Sequence, residues 1–262
     1  METLESSPAI ADSPAEGTRC FCCEQYLREA QLLQSSLLPA GPLAEDAVEL
    51  AYRFSPFSEV SGDFADFFCL PDGRIGLYLG DVVGKGLPAA MYGALVMGAL
   101  RGIHKTGTSA SRVLALLNER LMQRPLNGRL CSTLYAAYDP VSRILEFSNA
   151  GVPRPLLVSA NGCRPLGEGG LPSGMFPGAI YDRHITRLSP GDSVLFATDG
   201  VHELRNAEDV EFGEGHVIQA WASCRQRSAH ESVNFLFDCL QQFSGPDGQH
   251  DDVTVVVLRV PQ

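Results

Sequence analysis

The hydrophobic positions of this chain fall into short runs that alternate with polar residues and are punctuated by glycine, proline and aspartate. Alternation with a period of two is typical of a β-strand with one buried face. Turn sequences such as Pro71-Asp72-Gly73 and Asn161-Gly162 adjoin these runs and favour hairpins. We predict strands at residues 48–56, 63–70, 74–81, 130–138, 143–149, 154–160, 184–188, 193–200 and 251–260.

Five other segments have the pattern of helices. We predict helices at residues 23–38, 87–104, 109–124, 214–225 and 229–243. The strands come in hairpin-linked runs and the helices come in pairs, which is not the strand–helix alternation of a parallel sheet. The pattern therefore predicts antiparallel sheets with helices on their outer faces, in one folded domain.

The N-terminal region differs in composition from the rest of the chain. Residues 1–18 are acidic and rich in serine and proline, and we predict a disordered leader there. Residues 19–40 form a linker that carries the first helix, and residues 41–262 form the folded domain. Apolar residues of that helix recur at spacings of three and four. The helix either packs on its own domain or serves as a dimerising or signal-relaying element, and the sequence favours neither alternative.

Charge and composition exclude several classes of function. The formal net charge of −11 argues against nucleic-acid binding through phosphate neutralisation. No signal peptide is visible, and the uncharged run 87–100 is too short to span a bilayer, so we predict a cytoplasmic protein without membrane contact. Cys20 and Cys23 form a Cys-x-x-Cys pair, but no second pair completes a zinc site, and we interpret them, with Cys22, as incidental thiols.

The loop after the predicted strand 74–81 contains the first candidate functional residues. A phosphate-binding loop of the Walker type needs four residues between its glycines and a hydroxyl residue after the lysine. Only three residues separate Gly80 from Gly84, and Gly86 stands in place of the hydroxyl residue. The spacing therefore argues against a nucleotide-binding loop, and Asp81 remains as the candidate functional residue of this loop. We interpret Lys85 as a solvated loop residue.

Four aspartates occupy similar positions, each next to an apolar run at a strand end or sharp turn. An ionised carboxylate at the edge of a core is costly unless it is paired or binds metal. Oxygen ligands without histidine or cysteine select Mg²⁺ or Mn²⁺. Each residue taken alone is more often part of an ordinary turn. The four are Asp63, Asp81, Asp199 and Asp251.

Seven sequence blocks in order resemble the PPM-type, metal-dependent serine/threonine protein phosphatases. The resemblance is to the bacterial branch of stress-response and sporulation phosphatases that act on anti-anti-sigma factors. It covers about residues 24–260. The blocks are REAQLLQSSLLP (28–39), VSGDFADFF (60–68), GDVVGKGLPAAM (80–91), SNAGVPRPLLV (148–158), LPSGMFPG (171–178), LFATDGVHELRNAEDVEFG (195–213) and DDVTVVVLRV (251–260).

The resemblance implies an α+β fold, an αββα sandwich of two antiparallel sheets flanked by helices, with two Mn²⁺ or Mg²⁺ ions at one end. Asp81 matches the ligand that bridges both ions and holds the attacking water, so that no side chain acts as the catalyst. Val82 matches a position that contributes its backbone carbonyl. The remaining matched ligands are Asp63, Asp199 and Asp251, and we consider the adjacent acids Asp66 and Asp252 as candidates for supporting these ligands.

These matches lead to two hypotheses of different classes. The first is a phosphatase that removes phosphate from serine or threonine on an anti-anti-sigma-like regulatory protein. An upstream activator, or a homodimer formed through residues 23–38, would supply its input. The second is a partner-switching binding module with the same fold and negligible turnover. Val83 stands where animal relatives carry a histidine acid, which favours the second, whereas the intact aspartates favour the first.

Overall fold

Two antiparallel sheets form the centre of the molecule in the computed structural model, which describes residues 21–45, 47–104, 107–123, 125, 128–244 and 248–262. The strands are β1 (Leu43–Glu45), β2 (Val48–Ser55), β3 (Phe64–Cys69), β4 (Ile75–Val82), β5 (Cys131–Asp139), β6 (Ile144–Ala150), β7 (Leu156–Ser159), β8 (Gly162–Pro165), β9 (His184–Arg187), β10 (Ser193–Ala197) and β11 (Val253–Arg259). One sheet has the order β1-β2-β11-β10-β7-β8, and the other β3-β4-β5-β6-β9.

Helices cover the outer face of each sheet. They are α1 (Phe21–Ser35), α2 (Gly86–Ile103), α3 (Ala110–Met122), α4 (Gly200–Glu203), α5 (Gly213–Ala222) and α6 (Ala229–Ser244). α2 and α3 bury their apolar faces on the five-stranded sheet, and α5 and α6 bury theirs on the six-stranded sheet. A third cluster, including Leu79, Phe196 and Val256, fills the space between the sheets. The predicted fold class, an αββα sandwich, is thereby confirmed.

Every strand and helix predicted from the sequence in the described region is present, with ends shifted by up to three residues. Three further elements had not been predicted. β1 has three residues and α4 has four, so neither is long enough to show a periodicity. β8, Gly-Cys-Arg-Pro, does not alternate, and it pairs with β7 across the predicted hairpin turn, where Gly162 has a φ of 102°.

The apolar helix α2 is longer than residues 87–100 alone indicated. At 18 residues with a mean hydropathy of 1.2, it is long and apolar enough to cross a membrane by these two measures alone. Half of its residues are buried inside the protein, where Val96, Met97 and Leu100 pack against the sheet and α3. Packing within the domain therefore accounts for the buried half of α2.

The N-terminal helix α1 is attached to the domain at its C-terminal end. Gln34 donates a hydrogen bond to the Ser61 carbonyl oxygen (2.6 Å) and accepts one from the Ser61 N–H (3.0 Å). Arg101 of α2 donates to the carbonyl oxygen of Leu37 (2.6 Å). Tyr26, near the start of the helix, and Leu33, next to Gln34, are about 70% exposed. The helix thus packs on its own domain at its C-terminal end and also presents exposed apolar side chains. The predicted leader and Cys20 lie outside the described residues.

Candidate metal centre

The four predicted aspartate ligands lie at one end of the sandwich. Asp63 immediately precedes β3, and Asp81 is the penultimate residue of β4. These strands are antiparallel, with Phe64 opposite Gly80, so both acids share one edge. Asp199 follows β10 and Asp251 precedes β11, which are paired through Ala197 and Val255 in the other sheet. Each sheet therefore contributes two acids to the same end.

Asp63 is the most deeply buried of the four, with 2% of its surface exposed. Its Oδ2 accepts hydrogen bonds from the hydroxyl groups of Thr198 (2.8 Å) and Thr254 (2.5 Å), both on the opposite sheet's side. Burial and the Asp81 carboxylate raise its pKa well above the ordinary value, while the two threonine bonds act in the opposite direction. Asp63 thereby connects the two sheets at the acidic end.

Asp81 is placed against a glycine that leaves room for it. A Cβ added to Gly62 would lie 3.0 Å from Oδ1 of Asp81 and 2.9 Å from the carbonyl oxygen of Val82. The predicted side-chain and backbone ligands therefore border the same small space. Burial, followed by the charges of Asp199, Asp251 and Asp252, raises the pKa of Asp81 to about 8.

Asp199 and Asp251 complete the group of interacting acids. Burial, and then the charge of Asp251, raises the pKa of Asp199. Oδ2 of Asp251 forms an ion pair with Nζ of Lys85 at 3.3 Å, and Nζ also donates to the carbonyl oxygen of His250. Lys85 is therefore not a free solvated lysine as the sequence had indicated, although its side chain is half exposed. His250 is exposed.

The two supporting acids have different positions. Asp252 accepts hydrogen bonds from the N–H groups of Phe57 (2.7 Å) and Gly62 (2.9 Å), so it holds the loop that leads into Asp63. The structure does not bring Asp66 to this cluster. Side chains alternate along β3, and Asp66 shares the face of Phe64 and Phe68, which pack toward the helices.

On that face, Asp66 binds Arg101 at 2.8 Å and accepts a hydrogen bond from Tyr78 at 3.2 Å. Asp66 thus fastens α2 to the sheet, in place of the supporting role predicted for it. Sequence reasoning also missed three polar contacts of the site, made by Gln34, Thr198 and Thr254. Thr198 adjoins the predicted ligand Asp199, and Thr254 lies three residues after the predicted ligand Asp251; this proximity in the sequence was the available signal.

The donor set fits a hard divalent cation by its chemistry. Within the described residues, no three Asp, Glu, His or Cys side chains are gathered closely enough to hold a metal ion by themselves. Mg²⁺ usually keeps several waters and uses only one or two carboxylates, so it does not need such a group. The acids repel one another and raise each other's pKa values. A cation bound among them would relieve this repulsion.

Comparisons with known proteins identify the family of the chain. Residues 71–261 match the family of Stage II sporulation protein E (SpoIIE). The chain belongs to the SpoIIE family. It is 29% identical to the phosphoserine phosphatase RsbU of Bacillus subtilis over 231 residues, which cover 87% of this chain and 68% of RsbU. This SpoIIE-family chain is a PPM-type protein-serine/threonine phosphatase domain, as the sequence blocks had indicated.

Solved structures show the same fold. The SiaA-PP2C domain of Pseudomonas aeruginosa is 19% identical with a TM-score of 0.80, covering 91% of this chain and 96% of that domain. The structure of RsbX in complex with magnesium is 15% identical with a TM-score of 0.61, covering 84% of this chain and 98% of RsbX. At these identities the likeness establishes the fold of the SpoIIE-family chain, namely the PP2C sandwich.

Proposed function

We propose that this chain hydrolyses phosphoserine or phosphothreonine on a regulatory protein, with two Mn²⁺ or Mg²⁺ ions held by Asp63, Asp81, the Val82 carbonyl, Asp199 and Asp251. The observation that carries the proposal is the convergence of four acids from two sheets at one end of a SpoIIE-family fold. RsbU is named as a phosphoserine phosphatase, which supports this substrate class. We further propose an anti-anti-sigma-like protein as the partner and the cytoplasm as the location.

The chain's own residues would prepare the reaction. When bound, the ions supply Lewis acidity and a water of lowered pKa. Thr198 and Thr254 hold Asp63 in one orientation, and Asp252 fixes the loop in front of it. Lys85 pairs with Asp251 at the rim, where its charge would also attract the phosphoryl group of a substrate.

Phosphate release tests the proposal. An aryl phosphate and a phosphoserine peptide would be offered with and without Mn²⁺ to the wild type, Asp81→Asn and Asp238→Asn. Asp238 is an exposed acid of α6 on the outer face of the six-stranded sheet, so its variant is a matched control. We expect activity that requires Mn²⁺, is lost in Asp81→Asn and is unchanged in Asp238→Asn. Equal activity in all three proteins would contradict the proposed site.

A binding module without turnover is the second candidate. The side chain of Val83 is half exposed beside the predicted ligand Val82, and it offers no proton to a leaving group. Under this alternative the protein would bind Mn²⁺ and a partner protein but release no phosphate. Calorimetric metal titration alongside the phosphate assay separates the two candidates.

We also propose that α1 carries regulatory input to the site. Its Gln34 holds the backbone of Ser61, whose hydroxyl oxygen accepts the N–H of Asp63 at 2.9 Å. A movement of α1, driven by an activator or a second copy of the chain, would therefore reach a predicted ligand through two hydrogen-bonded steps. For a homodimer through residues 23–38, sedimentation should show dissociation by Leu33→Asp and no change by Val141→Asp, which alters an exposed turn.

A further inference from the structure

A second charged site lies at the opposite end of β10 from the acidic cluster. It is a cavity of about 250 Å³ beside Asp192, at the start of that strand, whereas Asp199 follows its end. The strand that separates them, Ser193–Ala197, spans about 15 Å. The cavity therefore shares no residue with the candidate metal centre.

Three arginines from three different elements line this cavity. Arg164 lies on β8 and Arg187 on β9, which are edge strands of the two sheets, and Arg225 lies between α5 and α6. All three are exposed. The fold thus brings together arginines that are far apart in the sequence.

The guanidinium groups of these three arginines have no ion pair, hydrogen bond or ring contact within the described part of the chain. Most other described arginines are engaged by the protein. Those in ion pairs are Arg74, Arg101, Arg112, Arg154, Arg183 and Arg205. Those that stack on phenylalanine or bond to backbone or hydroxyl oxygens are Arg53, Arg227, Arg129 and Arg259.

The lining carries a positive charge in a strongly acidic protein. Its one acid, Asp192, is 8% exposed and accepts the N–H of Ser189 at 2.8 Å. Three guanidinium groups against one carboxylate leave a net charge of +2 in a chain whose formal charge is −11. Like charges around one cavity repel, and an anion bound among them would remove that repulsion.

We propose that this cavity binds a small molecule that carries two linked phosphoryl groups. Guanidinium is planar and presents paired N–H donors that match phosphate oxygens. Three of them offer roughly fifteen N–H groups, more than a single phosphate can accept. The cavity has the volume of roughly eight waters at about 30 Å³ each, which exceeds the space needed by one phosphate group.

Calorimetric titration of the metal-free protein tests the proposal. Pyrophosphate, orthophosphate and ADP would be titrated in EDTA at constant ionic strength, so that neither metal-bound phosphate nor general screening contributes. The variants are Arg164→Gln and Arg187→Gln. The matched control is Arg120→Gln, an exposed arginine of α3 outside this cavity. Asp81→Asn serves as a second control, for the metal centre.

We expect pyrophosphate to bind with a Kd below about 1 mM. Each cavity variant should weaken binding by about tenfold or more through loss of a charged, bidentate contact. Arg120→Gln and Asp81→Asn should match the wild type, and the fluorescence of buried Trp221 checks folding in each variant. Binding of ADP in the same pattern identifies a nucleotide as the source of the diphosphate.

Three results would overturn the proposal: no pyrophosphate binding up to about 10 mM, an equal loss in Arg120→Gln, or orthophosphate binding as tightly as pyrophosphate. None of these measurements depends on catalysis, so they separate failure of this site from failure of the proposed phosphatase activity.

Discussion

Replacing Asp81 with asparagine should stabilise the metal-free protein at alkaline pH. The pKa of this carboxyl is raised from 3.8 to about 8, first by burial and then by neighbouring carboxylates. Between these two pH values, the folded chain holds a proton that the unfolded chain has released. The free energy of unfolding therefore falls as pH rises from about 4 to about 8, and the whole loss is present above that range. Asparagine does not ionise, so the variant does not lose unfolding free energy through this group as the pH rises.

The size of the effect follows from the shift. A shift of roughly four pKa units corresponds to about 5–6 kcal/mol at 1.36 kcal/mol per unit. Asp81 is only partly buried, so solvent screening reduces this figure. We expect Asp81→Asn to exceed the wild type by about 1–3 kcal/mol at pH 8.5 and to match it near pH 4.

Urea unfolding followed by tryptophan fluorescence measures this difference. Trp221 is the chain's single tryptophan, fully buried, and its indole N–H donates to the Leu156 carbonyl oxygen at 2.9 Å. Asp139→Asn is a control of opposite sign, because Ser142 and backbone N–H groups lower the pKa of Asp139. A wild-type stability that is flat between pH 5 and pH 8.5 in EDTA, or a less stable Asp81→Asn at pH 8.5, would refute the reasoning.

Three other substitutions test the surroundings of the acids. Gly62→Ala should abolish Mn²⁺ binding by calorimetry, because its Cβ would press on two predicted ligands. Gly98→Ala, where a Cβ meets nothing within 4 Å, should bind normally. Gln34→Ala should cost about 1–2 kcal/mol in urea unfolding through the loss of two hydrogen bonds, and an unchanged midpoint would show that the contact is not formed. Lys85→Met removes the cation paired with Asp251; it should raise the KM for an aryl phosphate several-fold, and an unchanged KM would contradict a role in attracting phosphate.

The layered fold could be predicted because several of its strands and helices show one buried face in their hydrophobic pattern. Strands such as β2 and helices such as α6 show their period directly in the hydrophobic pattern. The aspartates could be located because each adjoins an apolar run. Their convergence from two sheets could be expected only from the family resemblance, because local hydrophobic periodicity predicts strands but not their order in a sandwich.

The mispredicted residues fail for identifiable reasons. Asp66 differs from Asp63 by an odd number of positions along an extended strand, so it faces the helices and Arg101. A propensity argument placed Lys85 in solvent, but the loop carries it to Asp251, a contact that depends on tertiary structure. The contacts of Gln34 and the lining of the arginine cavity likewise bring together residues that are far apart in the sequence. Such contacts cannot be predicted from a local sequence pattern.

Because the acids come from two separate sheets, the distance between the sheets also affects the distance between the acids. Packed sheets are held about 10 Å apart by the side chains between them. Here those side chains include Leu79 and Phe196, on the strands that lead to Asp81 and Asp199. The apolar filling therefore acts as a spacer that sets how far apart the two pairs of acids lie. Metal selectivity in such a fold is then open to tuning by hydrophobic substitutions that never touch a ligand.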